Sequence, residues 1–254
     1  MAKYLTEFDT YAQYSGATLS LPNVSLIKTT GEVYYKNIFA GDTLGDVLMY
    51  DIANDKLVSS IGGNWSAASF PIASYTPIAV NVYPASQTPD GKNRYMAVRW
   101  ASNTSSTGNA QKVGLYWGPG DFSPSTDQNA FNGRENQNKA EALMPGTTGN
   151  TQAEYTAFYA CSIFAPPGTN TGDWYLPSYK ELSLYSANYS TINNIITAIK
   201  TAAGSSYINT VNDKLLTSTS VNESNVVGLN YSGGKDGNTP KYNAANGLRA
   251  MISI

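Results

Sequence analysis

The sequence predicts an α+β fold, with short antiparallel strands first and helices set among loop-rich β-structure afterwards. Three observations predict it. Residues 20–102 hold β-branched and aromatic runs between turn formers, the pattern of short strands. Two later stretches, 178–187 and 191–204, carry helical spacing and capping signals. The composition agrees: 12% aromatic residues with 19 Tyr, 22 Gly and 12 Pro, against 13% charged, suits strands and turns more than a helical enzyme. A chain of 254 residues is long enough for one large domain or two small ones.

Taken in order, Tyr4, Phe8 and Tyr11 fall at helical spacing and predict a short amphipathic helix over 4–14. LPNVSLIK and EVYYKN flank Thr30-Gly31 as a hairpin. GDVLMYD and DKLVSS repeat that arrangement across Ile52–Asn54. YTPIAVNVYPAS and RYMAVRWAS are strands on either side of the tight turn Pro89-Asp90-Gly91-Lys92. The small-polar stretch 101–111 predicts a long loop or a domain seam, KVGLYWG is a short strand, and residues 118–133 read as irregular.

Residues 134–144 and 152–164 have helical propensity, and APPGTNTG ends the second. DWYLP is a short strand. SYKELSLYSA is a helix with Ser178 as N-cap and Glu181 three residues on, a capping box. Ile192, Ile195, Ile196 and Ile199 form one apolar stripe on the next helix, with Gly204 at its C-terminal end. DKLLTSTS, NVVGLNYS and GLRAMISI are three terminal strands between Asn/Gly-rich loops.

The residue inventory excludes several functions. With 16 basic and 18 acidic residues the net charge is −2, so binding nucleic acid by neutralising many phosphates is not expected, and neither is a polybasic membrane contact. There is no histidine, which removes Ser–His–Asp triads and His-ligated metals. The one cysteine, Cys161, lies in an apolar helical run and reads as a buried thiol. The Asp42, Asp46, Asp51, Asp55 run lacks the EF-hand spacing, so no metal and no cofactor is expected. The opening residues MAKYLTEFDTYAQY show no secretory signal pattern, and no apolar stretch approaches the ~20 residues of a membrane span. The expectation is a protein made in a cytoplasm that does not enter a secretory route.

The segment GDWYLPSYKELSLY (Gly172–Tyr185), the helix after it, LLTSTS (Leu215–Ser220) and LRAM (Leu248–Met251) carry a resemblance. FNGRENQ (Phe131–Gln137) and the helix holding Cys161 fit the same pattern. Residues 94–254 resemble the C-terminal domain of Legionella collagen-like proteins and the variable proteins of diversity-generating retroelements. LLTSTS departs from the Tyr-Trp-Ser-Ser-Thr more common there. The resemblance implies a C-type-lectin-like fold, with Gly172, Trp174, Leu176, Pro177, Ser178, Glu181 and Arg249 as its structural signature.

Upstream, LPNVSLIKTTGEVYY, GDVLMYD and YTPIAVNVYPASQTPDGKNRYMAV are similar to virion proteins of tailed phages of gut Bacteroidales, including crAss-like phages. The implied domains are a docking segment over 1–40, a small β module over 41–93 and the lectin-like domain over 94–254.

Within the signature, Trp174 and Leu176 read as core, Glu181 as the cap partner of Ser178 rather than a catalytic acid, and Arg249 as one half of a structural ion pair. The fold would expose the segment holding Asn222, Asn225, Asn230, Tyr231, Ser232, Asn238, Lys241, Tyr242, Asn243 and Asn246. Such residues make adaptable recognition surfaces, and they also make turns; the sequence leaves both readings open. The expected function is non-enzymatic: a virion head fibre, decoration or tail-associated receptor-binding subunit. Its partners would be other virion proteins, further copies of itself (fibres are often trimers), and a host surface or glycan. A bacterial surface or pilus-tip adhesin is the alternative. A formylglycine-generating enzyme shares the fold but needs active-site cysteines, which Cys161 alone does not supply.

Overall fold

The structure is a computed structural model that describes residues 43–59, 72–99, 115–119, 122–144, 154–204, 214–230, 234–243 and 246–254, with three short strands upstream. Those are β1 (Lys3–Tyr4), β2 (Val24–Ile27) and β3 (Val33–Tyr35). Then follow β4 (Val47–Asp51), β5 (Lys56–Ser59), β6 (Tyr75–Tyr83), β7 (Arg94–Ala97) and β8 (Leu115–Tyr116). The helices are α1 (Gly133–Leu143), α2 (Thr156–Ser162), α3 (Ser183–Ala187) and α4 (Tyr189–Ala203). The chain closes with β9 (Lys214–Ser220), β10 (Asn225–Leu229), β11 (Lys235–Pro240), β12 (Tyr242–Asn243), β13 (Asn246–Gly247) and β14 (Met251–Ser253). The fold is α+β, as the residue patterns predict.

Strands β1, β3 and β2 form a small sheet in that order. Tyr4 lies in β1; the rest of the helix expected over 4–14, and most of the docking segment over 1–40, fall outside the described residues. The central sheet has the order β14-β7-β6-β4-β5, antiparallel throughout. This corrects the expected boundary between residues 93 and 94. Strands from both sides of it pair along their length, so 41–93 and 94–254 share one sheet and one core. Pro77 sits in β6 opposite Met49 of β4, before the stretch Ala79–Tyr83 that pairs with β7, and the β4 register shifts there: Leu48 pairs with Ala79 and Met49 with Pro77. A bulge tolerates the missing proline N–H that a regular ladder would not.

Period-two alternation sends apolar side chains to both faces of this sheet. Leu48, Tyr95, Ala97 and Ile252 join one cluster, with Trp117, Phe158, Trp174 and Leu176. Val47, Met49, Met96 and Met251 join the other, with Tyr175, Tyr185 and α4. Helix α4 buries Ile192, Ile196 and Ile199, and each such side chain contributes about 1.5–3 kcal/mol relative to exposure. Gly204, at φ +55°, ends the helix in the left-handed conformation that glycine adopts without a Cβ penalty. A second sheet, β11-β10-β9-β13, lies alongside, and β9 joins the layers by placing Leu215 in one cluster and Leu216 in the other. Among the described residues no helix is long and apolar enough to cross a membrane.

Candidate recognition face and the buried Glu181 node

The C-terminal segment divides into residues that build turns, residues that face solvent and one that is interior. Asn222 is exposed, but its Oδ1 accepts the Ser224 and Asn225 amides at 2.9 and 2.8 Å, so it shapes the β9–β10 turn. Asn230 Oδ1 accepts the Gly234 amide at 2.8 Å, and the Asn230 amide returns to the Gly234 carbonyl. Asn225 is half-buried and Asn238 exposed, its amide held by Asp236 Oδ1. Lys214 pairs with Asp236 across the same end, and that hydrogen bond holds the Asp236 carboxyl below its ordinary value.

Lys241 corrects an expectation. It is fully buried, its Nζ donating to the Phe122 carbonyl at 2.8 Å and lying 4.8 Å from the Trp117 ring centre. It is a core residue and offers nothing to a ligand. Tyr231 and Ser232 lie outside the described residues, as do the side chains of Tyr242, Asn243 and Asn246.

Two of the signature residues, Ser178 and Glu181, meet in one polar node inside the molecule. Trp174, Leu176, Pro177 and Ser178 are buried. Ser178 N donates to Glu181 Oε2 at 2.8 Å and Glu181 N to Ser178 Oγ at 3.4 Å, a reciprocal capping arrangement. It opens a 3-10 turn, Lys180–Leu182, that runs into the short α3; the single helix expected over 178–187 is split there. The other carboxylate oxygen, Oε1, accepts Arg94 Nε at 3.0 Å and the Tyr175 hydroxyl at 2.9 Å. Side-chain exposure is 4% for Arg94 and 1% for Glu181, so this is a buried ion pair. Asp90 Oδ2 takes Arg94 Nη2 at 3.0 Å, and the Lys92 carbonyl takes Nη1.

Electrostatics follow from that geometry. Burial opposes the Arg94 charge, but the Tyr175 phenol, Asp90 and Glu181 outweigh it and raise its pKa. Burial, with the Glu181 charge beside it, pushes Tyr175 well above its ordinary value. Arg249, expected in an ion pair, is buried and donates Nη1 to the Ala97 carbonyl at 2.8 Å; burial lowers its pKa to about 10. Burial also raises the Cys161 thiol, which suits a packed side chain and not a nucleophile.

Helix α1, the FNGRENQ segment, stitches the node to β9. Arg134 donates to the Gly172 carbonyl at 2.7 Å and to the Asp173 carbonyl, and its guanidinium lies 4.6 Å from the Tyr175 ring centre. Gln137 bonds Leu176 N and the Phe158 carbonyl, and Asn136 bonds Ser218. The LLTSTS strand is buried yet polar because its groups are partnered: Thr217 Oγ1 donates to Val227, Ser218 N to Pro177, and Thr219 Oγ1 accepts Tyr179 N.

Gly133 sits where α1 meets the node. A Cβ there would stand 2.2 Å from Glu181 Oε2 and 2.8 Å from Ser178 N. Gly133→Ala ordinarily favours a helix by up to about 1 kcal/mol, but here the clash decides the sign. The expected result is a net loss of about 1–3 kcal/mol in thermal melts; a stabilised variant would mean that the node yields easily.

Sequence reasoning missed Arg94, Tyr175 and Arg134. The available signal was a lone cation, Arg94, at the head of the apolar run YMAV. A buried strand cation needs partners for its N–H groups, and Glu181, the acid of the signature, is the one that could also match its charge.

No protein-family model and no curated protein matches this chain. Its structure is similar to the crystal structure of a fimbrial protein from Bacteroides ovatus ATCC 8483, with a TM-score of 0.46 and 14% identity over 87% of this chain. The chain spans about half of that protein, 49% of its length.

Proposed function

We propose that this chain is a non-enzymatic recognition protein of C-type-lectin-like architecture, carried on the surface of a phage particle as a head fibre, decoration or tail-associated subunit. Its N-terminal part docks on other virion proteins. Its C-terminal end meets a host surface or glycan. One observation carries the reading: Glu181 is fully engaged, its two oxygens taken by Arg94, Tyr175 and the Ser178 amide, and so it serves the scaffold. Recognition then falls to the exposed polar residues along the β9–β10–β11 strands, Asn222, Glu223 and Ser224 at one end, Lys235 at the other and Asn238 between them. The split of the C-terminal segment narrows that set, because Lys241 is removed from it and Asn222 and Asn230 shape the turns.

The test is immunogold labelling of gradient-purified particles with antibody raised against the recombinant chain. Label at regular positions on the particle surface is expected. Particles that lack the chain by both labelling and mass spectrometry would overturn the virion assignment.

A further inference from the structure

A cavity of about 360 Å³ opens beside the Glu181 node, lined by the turn before β7, the start of α1, Gly172-Asp173 and the end of β14. It contains none of residues 222–246, so it is separate from the proposed recognition residues. We propose that this cavity binds one neutral pyranose-sized polyhydroxyl compound.

The walls argue for that chemistry. Lys92, Arg94 and Arg134 face the cavity together with Asp90, Asp173 and Glu181, so cations and carboxylates are balanced. A phosphate or sulfate would meet three acids along with the cations, and an ammonium ligand the reverse. A sugar hydroxyl both donates and accepts, and can use neighbouring groups of either sign. Phe131 and Ile252 add apolar surface for the C–H face of a ring. The volume lies at the small end of small-molecule pockets, which span roughly 300–1,000 Å³, and so suits a single ring rather than a nucleotide or a long oligosaccharide.

The walls are also set before a ligand arrives. Arg94 is locked by Glu181, Asp90 and the Lys92 carbonyl, and Arg134 by two backbone carbonyls. Phe131 is held edge-on by Tyr83, with ring centres 4.9 Å apart. Rigid walls lower the ordering cost of binding. Two groups stay available at the rim: the exposed Lys92 ammonium, which no side-chain partner holds among the described residues, and Asp173, whose Oδ2 takes the Asn170 amide while Oδ1 remains. A ligand of about twelve non-hydrogen atoms at ordinary ligand efficiency then binds with a Kd on the order of 1 mM.

The full-length chain is titrated with the methyl glycosides of glucose, galactose and mannose and with N-acetylglucosamine, by saturation-transfer NMR. Inorganic phosphate and free serine serve as charged comparisons. At least one neutral sugar is expected to saturate in the millimolar range. Lys92→Ala and Asp173→Asn each weaken it about fivefold with the melting temperature unchanged. Absence of neutral-sugar binding up to about 50 mM, preference for phosphate or serine, or indifference to both variants would overturn the proposal. The particle-labelling experiment reads a different property, so the two readings fail separately.

Discussion

Glu181→Ala lowers the unfolding free energy by about 3–5 kcal/mol, enough to unfold a marginal domain near physiological temperature. The reason is what it leaves behind. Arg94, with 4% side-chain exposure, keeps its charge and loses its buried partner. The Tyr175 hydroxyl and the Ser178 amide lose an acceptor in the same step. A buried charge left with only the half-exposed Asp90 as its acid outweighs the lost hydrogen bonds, which contribute only about 1 kcal/mol each. Urea denaturation followed by circular dichroism checks this. A loss below about 1 kcal/mol would place the node among ordinary surface pairs.

Trp117→Ala costs about 3–5 kcal/mol through the other cluster. The ring is fully buried, packed against Phe122 and Phe158 with centres 5.2 and 5.5 Å away. Its Nε1 donates to the Thr217 carbonyl at 2.7 Å, which anchors β9, and the buried Lys241 ammonium rests against its face. Truncation therefore opens a cavity, orphans a carbonyl and removes a cation–π contact worth about 1–2 kcal/mol when desolvated. Trp117→Phe keeps a ring in place and loses less. Thermal melts of the two variants rank them, and equal losses would show that the indole hydrogen bond carries the effect.

How far the residues alone predict this structure depends on range. Strands β4 to β7 and helix α4 are legible because their signals are local: alternation, turn residues and an isoleucine stripe. The pairing of Met251–Ser253 with Arg94–Met96 is not, because nothing in either segment names its partner. That missing pairing put a domain boundary at a place where two strands share a sheet. Strands β11 to β13 were missed because Lys235–Pro240 is polar and glycine-bearing, a composition that spells turn.

The candidate site shows the same limit. Asn222 and Asn230 support the turn reading, and composition could not separate it from the ligand reading, because one amide can serve either. Lys241 looks like a surface cation in the run TPKYN. It is interior because Trp117 and Phe122 arrive from far upstream to receive it. The capping box was legible at Ser178 and Glu181, but its second use, as the seat of Arg94, needed the sheet.

A double-mutant cycle on Arg94 and Glu181 tests the scaffold role of the node most directly. Each residue is replaced by Met singly and then together, and unfolding is measured in urea. Each single variant is expected to lose several kcal/mol, and the double variant to recover at least about 2 kcal/mol of the summed loss, because it leaves no charge stranded. Losses that add within about 0.5 kcal/mol would contradict the account, since Glu181 would then be free of Arg94 and open to another task.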